Sequence, residues 1–155
     1  MVKWNPAKRP ATDEEIQAIE HKVGYKFPDD FVEWVKKYQG SNPSAYLDVN
    51  NELFTFDRLC IISNPSTEEE SLDHVLEVYE TMYEEDELEL PQGLVPFGFD
   101  GSNKWYCFDY RNQPTKPSVV LINWEVSYED EPSKSITYVC DSFSDLLEML
   151  YTRTF

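Results

Sequence analysis

Basic residues are the first scarcity. The 155-residue chain holds 13 Lys and Arg against 30 Asp and Glu, a net charge of −17, and no Lys or Arg occurs between Arg58 and Lys104. So acidic a chain repels phosphate backbones and anionic lipid, which argues against nucleic acid and membrane surfaces as partners. Histidine is rarer still. His21 and His74 each fall in a helical pattern beside acids and read as surface histidines with carboxylate neighbours. No paired-histidine, H-E-x-x-H or C-x-x-C spacing is present, so no metal site is read. Cys60, Cys107 and Cys140 are odd in number and far apart. That spacing fits neither a disulfide framework nor zinc, and buried thiols are expected. Gly98-Phe-Asp-Gly101 lacks the later glycine and the helix start that a dinucleotide loop requires, and no other cofactor motif occurs. No apolar run approaches the roughly 18 residues of a membrane span. The basic start, Met1 to Pro10, has no apolar stretch behind it, so no secretory signal is read and a cytoplasmic location is expected.

What is plentiful points to one core. Hydrophobic residues make up 41% of the chain and aromatics 15%, enough for a single domain of this length to bury a sizeable interior. The domain is expected to span 1–155, with residues 1–10 a loosely held arm. Thr12-Asp-Glu-Glu15 is a capping box, opening a helix with Ile16, Ile19 and Val23 on one face and Gly24 at its end. Pro28 suits a first helical position because it has no N–H to satisfy. Behind it Phe31, Trp34, Val35 and Tyr38 follow at helical spacing and Gly40 stops the run. A third helix is predicted from Ser66 onward, with Leu72, Val75, Leu76, Tyr79, Met82 and Tyr83 as one continuous stripe. A last one opens at Asp141 or Ser142 and buries Phe143, Leu146, Leu147 and Leu150.

Strands are predicted over Ala45–Val49 and Glu52–Phe56 around Asn50-Asn51, over Leu59–Ser63, over Gly93–Phe99 and Lys104–Tyr110 around Asp100-Gly101, and over Ser118–Trp124 and Ser135–Cys140. Glu125–Ser133 reads as an exposed acidic loop. Helices first and strands running consecutively later predict an α+β fold with a largely antiparallel sheet. Tyr46, Phe54 and Phe56 fit a core or a dimer seam equally, and the oligomeric state stays open.

Eleven of the 30 acids lie within 66–91 with no basic counterweight. Two readings stand for them: a solvated face that keeps the protein soluble, or a docking surface for a basic partner. For the second, the candidates are Glu84, Glu85, Asp86 and Glu87, with Asp100, Trp105, Tyr106, Asp109, Trp124 and Glu125 beside them. Core and sheet packing compete for each of these aromatics. Asp100 and Asp109 are the best carboxylate pair for acid–base work, yet turn chemistry accounts for both: Asp-Gly favours the hairpin turn, and Asp109 can accept from the turn after its strand. No catalytic residue is assigned.

The ordered blocks resemble the SUKH superfamily, which includes fungal cell-wall-assembly regulators and bacterial toxin-immunity proteins. They are Ala11-Thr-Asp-Glu-Glu-Ile-Gln-Ala-Ile-Glu20, Gly24-Tyr-Lys-Phe-Pro-Asp-Asp-Phe31, Trp34 to Gly40, Leu94-Val-Pro-Phe-Gly98, Trp105-Tyr-Cys-Phe-Asp109, Val120-Leu-Ile-Asn-Trp124 and Ser142-Phe-Ser-Asp-Leu-Leu147. The matching positions are Glu20, Pro28, Tyr38, Gly40, Pro96, Gly98, Asp109 and Phe143. Two departures stand out. The loop Gly101-Ser-Asn-Lys104 has fewer glycines than in many members, and Ala45 to Pro91 matches no family motif. The resemblance implies helices packed on a central sheet, a binding function without catalysis, and, for bacterial members, the blocking of a toxin that is commonly a nuclease. Three functions follow in order: immunity to a basic toxin, a regulatory scaffold in envelope or signalling control, and a small-ligand binder.

Overall fold

A computed structural model describes residues 2–153, except for the side chain of Asp86. The first helix, α1 (Asp13–Val23), starts as its capping box dictates. Thr12 Oγ1 accepts the Glu15 N–H at 3.2 Å while Glu15 Oε1 accepts the Thr12 N–H at 3.0 Å. It ends at Gly24, whose φ of +85° suits a residue without Cβ. Helix α2 (Asp29–Tyr38) begins one residue later than read from the sequence, because Pro28 is extended and serves as the cap. Asn50 and Asn51 both take left-handed backbone, as the two-residue turn between β1 (Ala45–Val49) and β2 (Glu52–Phe56) demands.

The main sheet is antiparallel in the order β3-β4-β5-β6-β7, built from Arg58–Leu59, Leu94–Phe99, Lys104–Asp109, Ser118–Asn123 and Ile136–Cys140. With the helices, it makes the α+β architecture expected from the element order. A bulge between Pro96 and Gly98 interrupts the β4–β5 register, and Pro96 is tolerated there because a bulge spares a ladder donor. Tyr106 and Phe108 alternate onto one face with Phe97. Phe31 of α2 and Phe143 of α6 (Phe143–Met149) pack on them, with ring centroids 5.1 Å from Phe31 to Phe108 and 5.7 Å from Phe97 to Phe143. The buried residues form one continuous core, and all three cysteines lie in it as free thiols.

The acidic segment departs from its predicted form. It makes two helices, α3 (Glu68–Leu72) and α4 (Val75–Glu84), separated at Asp73-His74. Ile61 pairs with His74 in a parallel bridge, donating its N–H to Asp73 O at 2.9 Å and accepting that of Val75 at 3.0 Å. This pairing breaks the helix and leaves Leu72 69% exposed, so the buried stripe starts at Val75. It also shortens the strand predicted over Leu59–Ser63, since the N–H groups of Ile62 and Ser63 both donate to Gln39 Oε1. His74, expected at the surface, is buried. Its Nδ1 caps α4 by accepting from Leu76 N–H, and its Nε2 lies 3.1 Å from Ile62 O.

Residues 4–9, read as part of a loose arm, are tied down. The Trp4 ring lies 5.4 Å from Trp34 and 5.9 Å from Phe56. Ala7 N–H donates to Lys37 O, and Arg9 pairs with Glu70 at 2.8 Å. The Arg9 guanidinium and the Ser66 N–H hold the Glu70 carboxyl down at about 2. An exposed tryptophan would leave too much apolar surface in water for that segment to stay free.

Candidate functional site

Two acidic segments meet at one end of the sheet. Helix α4 runs out at Glu84, Glu85 caps it through an N–H to Thr81 O, and a short 3-10 turn (Asp86–Leu88) follows. Leu88 is buried, which pins this turn against the body while Glu84, Glu85, Glu87 and Glu89 stay exposed. From the other side, Tyr128 donates its N–H to Leu88 O at 2.9 Å, and the Ser127 hydroxyl donates to the Glu89 carboxylate. The loop predicted as exposed over Glu125–Ser133 is thus partly anchored, with Val126, Ser127 and Tyr128 half-buried, and it passes into a short helix α5 (Pro132–Ser135).

The carboxyls of Glu89 and Glu129 also meet. The Ser127 hydroxyl, with a hydrogen bond from Glu129, lowers the pKa of Glu89, and the neighbouring Glu89 raises that of Glu129.

Between the segments lies a concavity of about 200 Å³ lined by Glu85, Glu87, Leu88, Trp124, Glu125, Val126 and Ser127. The backbone N–H of Trp124 donates to Asn103 O at 3.1 Å, which places its half-buried ring at the hairpin-turn end of the sheet. The ring stands 6.0 Å from Trp105, which is itself 4.6 Å from Phe99. Among the described residues its lining holds carboxylates and no cation, so the field over its apolar floor is negative.

The structure therefore brings together Glu84, Glu85, Glu87, Trp124 and Glu125, with Trp105 beneath them. Asp86 lies in the same turn, its side chain outside the described set. The remaining candidates are elsewhere or inaccessible. Tyr106 is fully buried and donates to Thr55 O at 2.6 Å, so it serves the core. Asp100 is buried in the turn, where Oδ1 accepts the N–H groups of Ser102 and Lys104. Asp109 sits at the far end of β5, held by Arg111 through its backbone N–H and guanidinium at 2.9 to 3.0 Å. The two aspartates are not a pair, because about five residue steps of strand separate them, roughly 17 Å.

Cys60 and Cys107 are equally unsuited to chemistry, since burial pushes both thiols well above the usual range and leaves no thiolate to attack. Glu89, Ser127 and Glu129 were not among the candidate residues. Their acidic composition was legible, but their meeting was not, since Ser127 and Glu89 are 38 positions apart.

The motif positions have structural work. Glu20 accepts the Phe27 N–H at 2.6 Å, tying α1 to the start of α2. The Tyr38 ring lies 4.8 Å from Trp34. Gly40 adopts a φ of +74° with the Ile61 side chain 3.2 Å from where a Cβ would stand. At Gly98 a Cβ would meet the Phe56 ring at 2.6 Å. Phe143 is wholly buried at the centre of the aromatic core. A model of the SMI1 / KNR4 family (SUKH-1) matches residues 10–149, which takes in both the motif positions and the acidic surface. The chain belongs to this family. No curated protein matches it. SUKH membership makes it a protein-interaction domain of the immunity and regulatory type, from a family that is generally non-catalytic. No helix among the described residues is long and apolar enough to cross a membrane.

Proposed function

We propose that this SUKH domain is a cytoplasmic immunity protein that binds and neutralises a basic, nuclease-type toxin domain without catalysis of its own. The observation that carries the reading is the joining of Glu84–Glu89 to Glu125–Glu131 around the Trp124 ring. A nuclease must present cations to phosphate. A negative surface on a fixed scaffold competes for those cations, speeds encounter and selects against acidic partners. The Trp124 ring supplies the apolar contact that a charged rim alone lacks.

The test is co-expression with the C-terminal domain of a secreted toxin encoded beside this chain's gene. Rescue of growth and a stable complex are expected. Growth that stays arrested while both proteins accumulate sinks immunity to that toxin.

A further inference from the structure

The span 65–72, which carries α3, is fixed at both ends and held in the middle by one residue. At its base the Asn64 N–H donates to Glu15 Oε2 at 2.9 Å. At the other end Asp73 O accepts the Ile61 N–H, and the Asp73 carboxylate pairs with Arg58 at 2.7 Å. Between these anchors no residue is buried, and Leu72 stands mostly in water. Among the described residues, every hydrogen bond and ion pair from 65–72 to a residue outside 64–74 ends on Arg9. Its guanidinium meets the two Glu70 oxygens at 2.8 and 3.3 Å. Arg9 is placed in turn by the buried Gln39, whose Nε2 donates to Arg9 O at 2.9 Å. A loop closed at its base and packed on nothing apolar can lift without exposing core, so its closed state depends on the Arg9–Glu70 pair.

A cleft of about 760 Å³ lies between this span and the body. Its lining holds Lys8, Arg9 and Arg58 and, from the acidic segment, Glu69, Glu70 and Asp73, three charges of each sign. Arg58 keeps Asp57 and Asp73, at 3.3 and 2.7 Å, because both lie outside the span. Glu15 stays near Arg9, but its carboxylate is taken up by the N–H groups of Thr12 and Asn64 and the Ser63 hydroxyl. Lifting 65–72 takes Glu69 and Glu70 away from Lys8 and Arg9. The lining then becomes net positive, on a chain whose total charge is −17.

We propose that 65–72 is an acidic lid latched by Arg9, and that its Glu70 occupies in cis the place of a carboxylate-rich segment of a partner protein. The closed structure displays the chemistry that the cleft accepts, a carboxylate held in the fork of an arginine. With the lid down, only the open fraction of molecules can take such a segment, and the apparent affinity falls by that fraction. The cleft shares no lining residue with the concavity at Trp124, so the inference stands apart from the acidic surface and from a basic toxin.

The test uses the ¹⁵N-labelled full chain and the capped peptide Glu-Glu-Glu-Ser-Leu-Asp, which copies α3 and the residue after it. Glu70→Ala and Arg9→Gln both break the latch. Amide exchange across 66–72 is expected to rise about fivefold in each, with exchange in β5 and β6 unchanged. Added salt speeds the same amides in the wild type but not in the variants, because the pair it screens is partly in water. The peptide then separates the two variants. Glu70→Ala binds it about fivefold tighter than the wild type, a gain that matches the opening. Arg9→Gln loses it, although the lid is equally free. The proposal is overturned if exchange across 66–72 is the same in all three proteins, or if it rises over the whole chain. Equal peptide binding by the two variants, or its absence from both, overturns it as well. Inorganic phosphate giving the same shifts at the same concentration would make the cleft a general anion site and overturn the assignment to a protein segment.

Discussion

Tyr128 donates its backbone N–H to the carbonyl of Leu88 at 2.9 Å, and this bond joins two acidic stretches that are remote in the chain. One consequence concerns binding. Replacing Glu85, Glu87 and Glu125 by lysine is expected to slow association with a basic toxin domain about tenfold at low salt, with a smaller effect at high salt. Stopped-flow measurement across a salt series checks this, and unchanged association rates would rule the surface out. Stability should move by no more than about 0.5 kcal/mol, because these side chains are exposed.

Arg111 and Asp109 are expected to matter for folding. The Asp109 side chain is only 7% exposed and its charge is met by Arg111. Arg111→Ala leaves a carboxylate short of partners and should cost about 2 kcal/mol in urea unfolding, below a fully buried pair because Arg111 is partly in water. Asp109→Asn/Arg111→Ala together should cost less than the sum of the two single changes. Additive losses would show the pair to be uncoupled.

Gly98 is expected to reject any side chain. Its Cβ would lie 2.6 Å from two Phe56 ring carbons, and Phe56 is fully buried with no room to turn aside. Gly98→Ala should destabilise by about 2 to 3 kcal/mol through overpacking. Gly24→Ala, where the space is open but φ is +85°, should cost about 1 kcal/mol. Thermal or urea melts compare them directly, and a reversed order would contradict the packing described for Phe56.

His74 sets a pH dependence. Burial lowers its pKa from the ordinary 6.5, partly offset by its bond to Ile62 O, and the neutral ring caps α4. A depressed folded-state value means stability is fully present above about 6.5 and is lost as pH falls toward the folded value and below it. His74→Asn keeps a capping oxygen but cannot titrate. Between pH 7 and 5 the wild type should therefore lose more stability than the variant, and equal slopes in chemical denaturation would exclude His74 as the cause.

Much of the fold was legible because it is written locally. The Thr12–Glu15 box, the Asn50-Asn51 turn and the Ser142 cap each depend on residues a few positions apart, and all three appear where their chemistry places them. The acidic helix was misjudged for the opposite reason. Its apolar spacing through Leu72 and Val75 supports one helix, but the backbone of Ile61 outcompetes the helical bonds at Asp73 and His74. Strand alternation leaves open which face of β5 is the interior, and the ring cluster with Phe56 and Phe97 placed Tyr106 there.

The sequence by itself determined the strongly negative charge, the α+β element order, the burial of the cysteines and the turn roles of Asp100 and Asp109. These follow from composition, short-range periodicity and the hydrogen-bonding habits of single residues. Only the tertiary structure decided that Glu84–Glu89 and Glu125–Glu131 share one surface and that His74 is interior. Each of these is a contact between distant segments, set by which apolar surfaces bury one another rather than by any local preference.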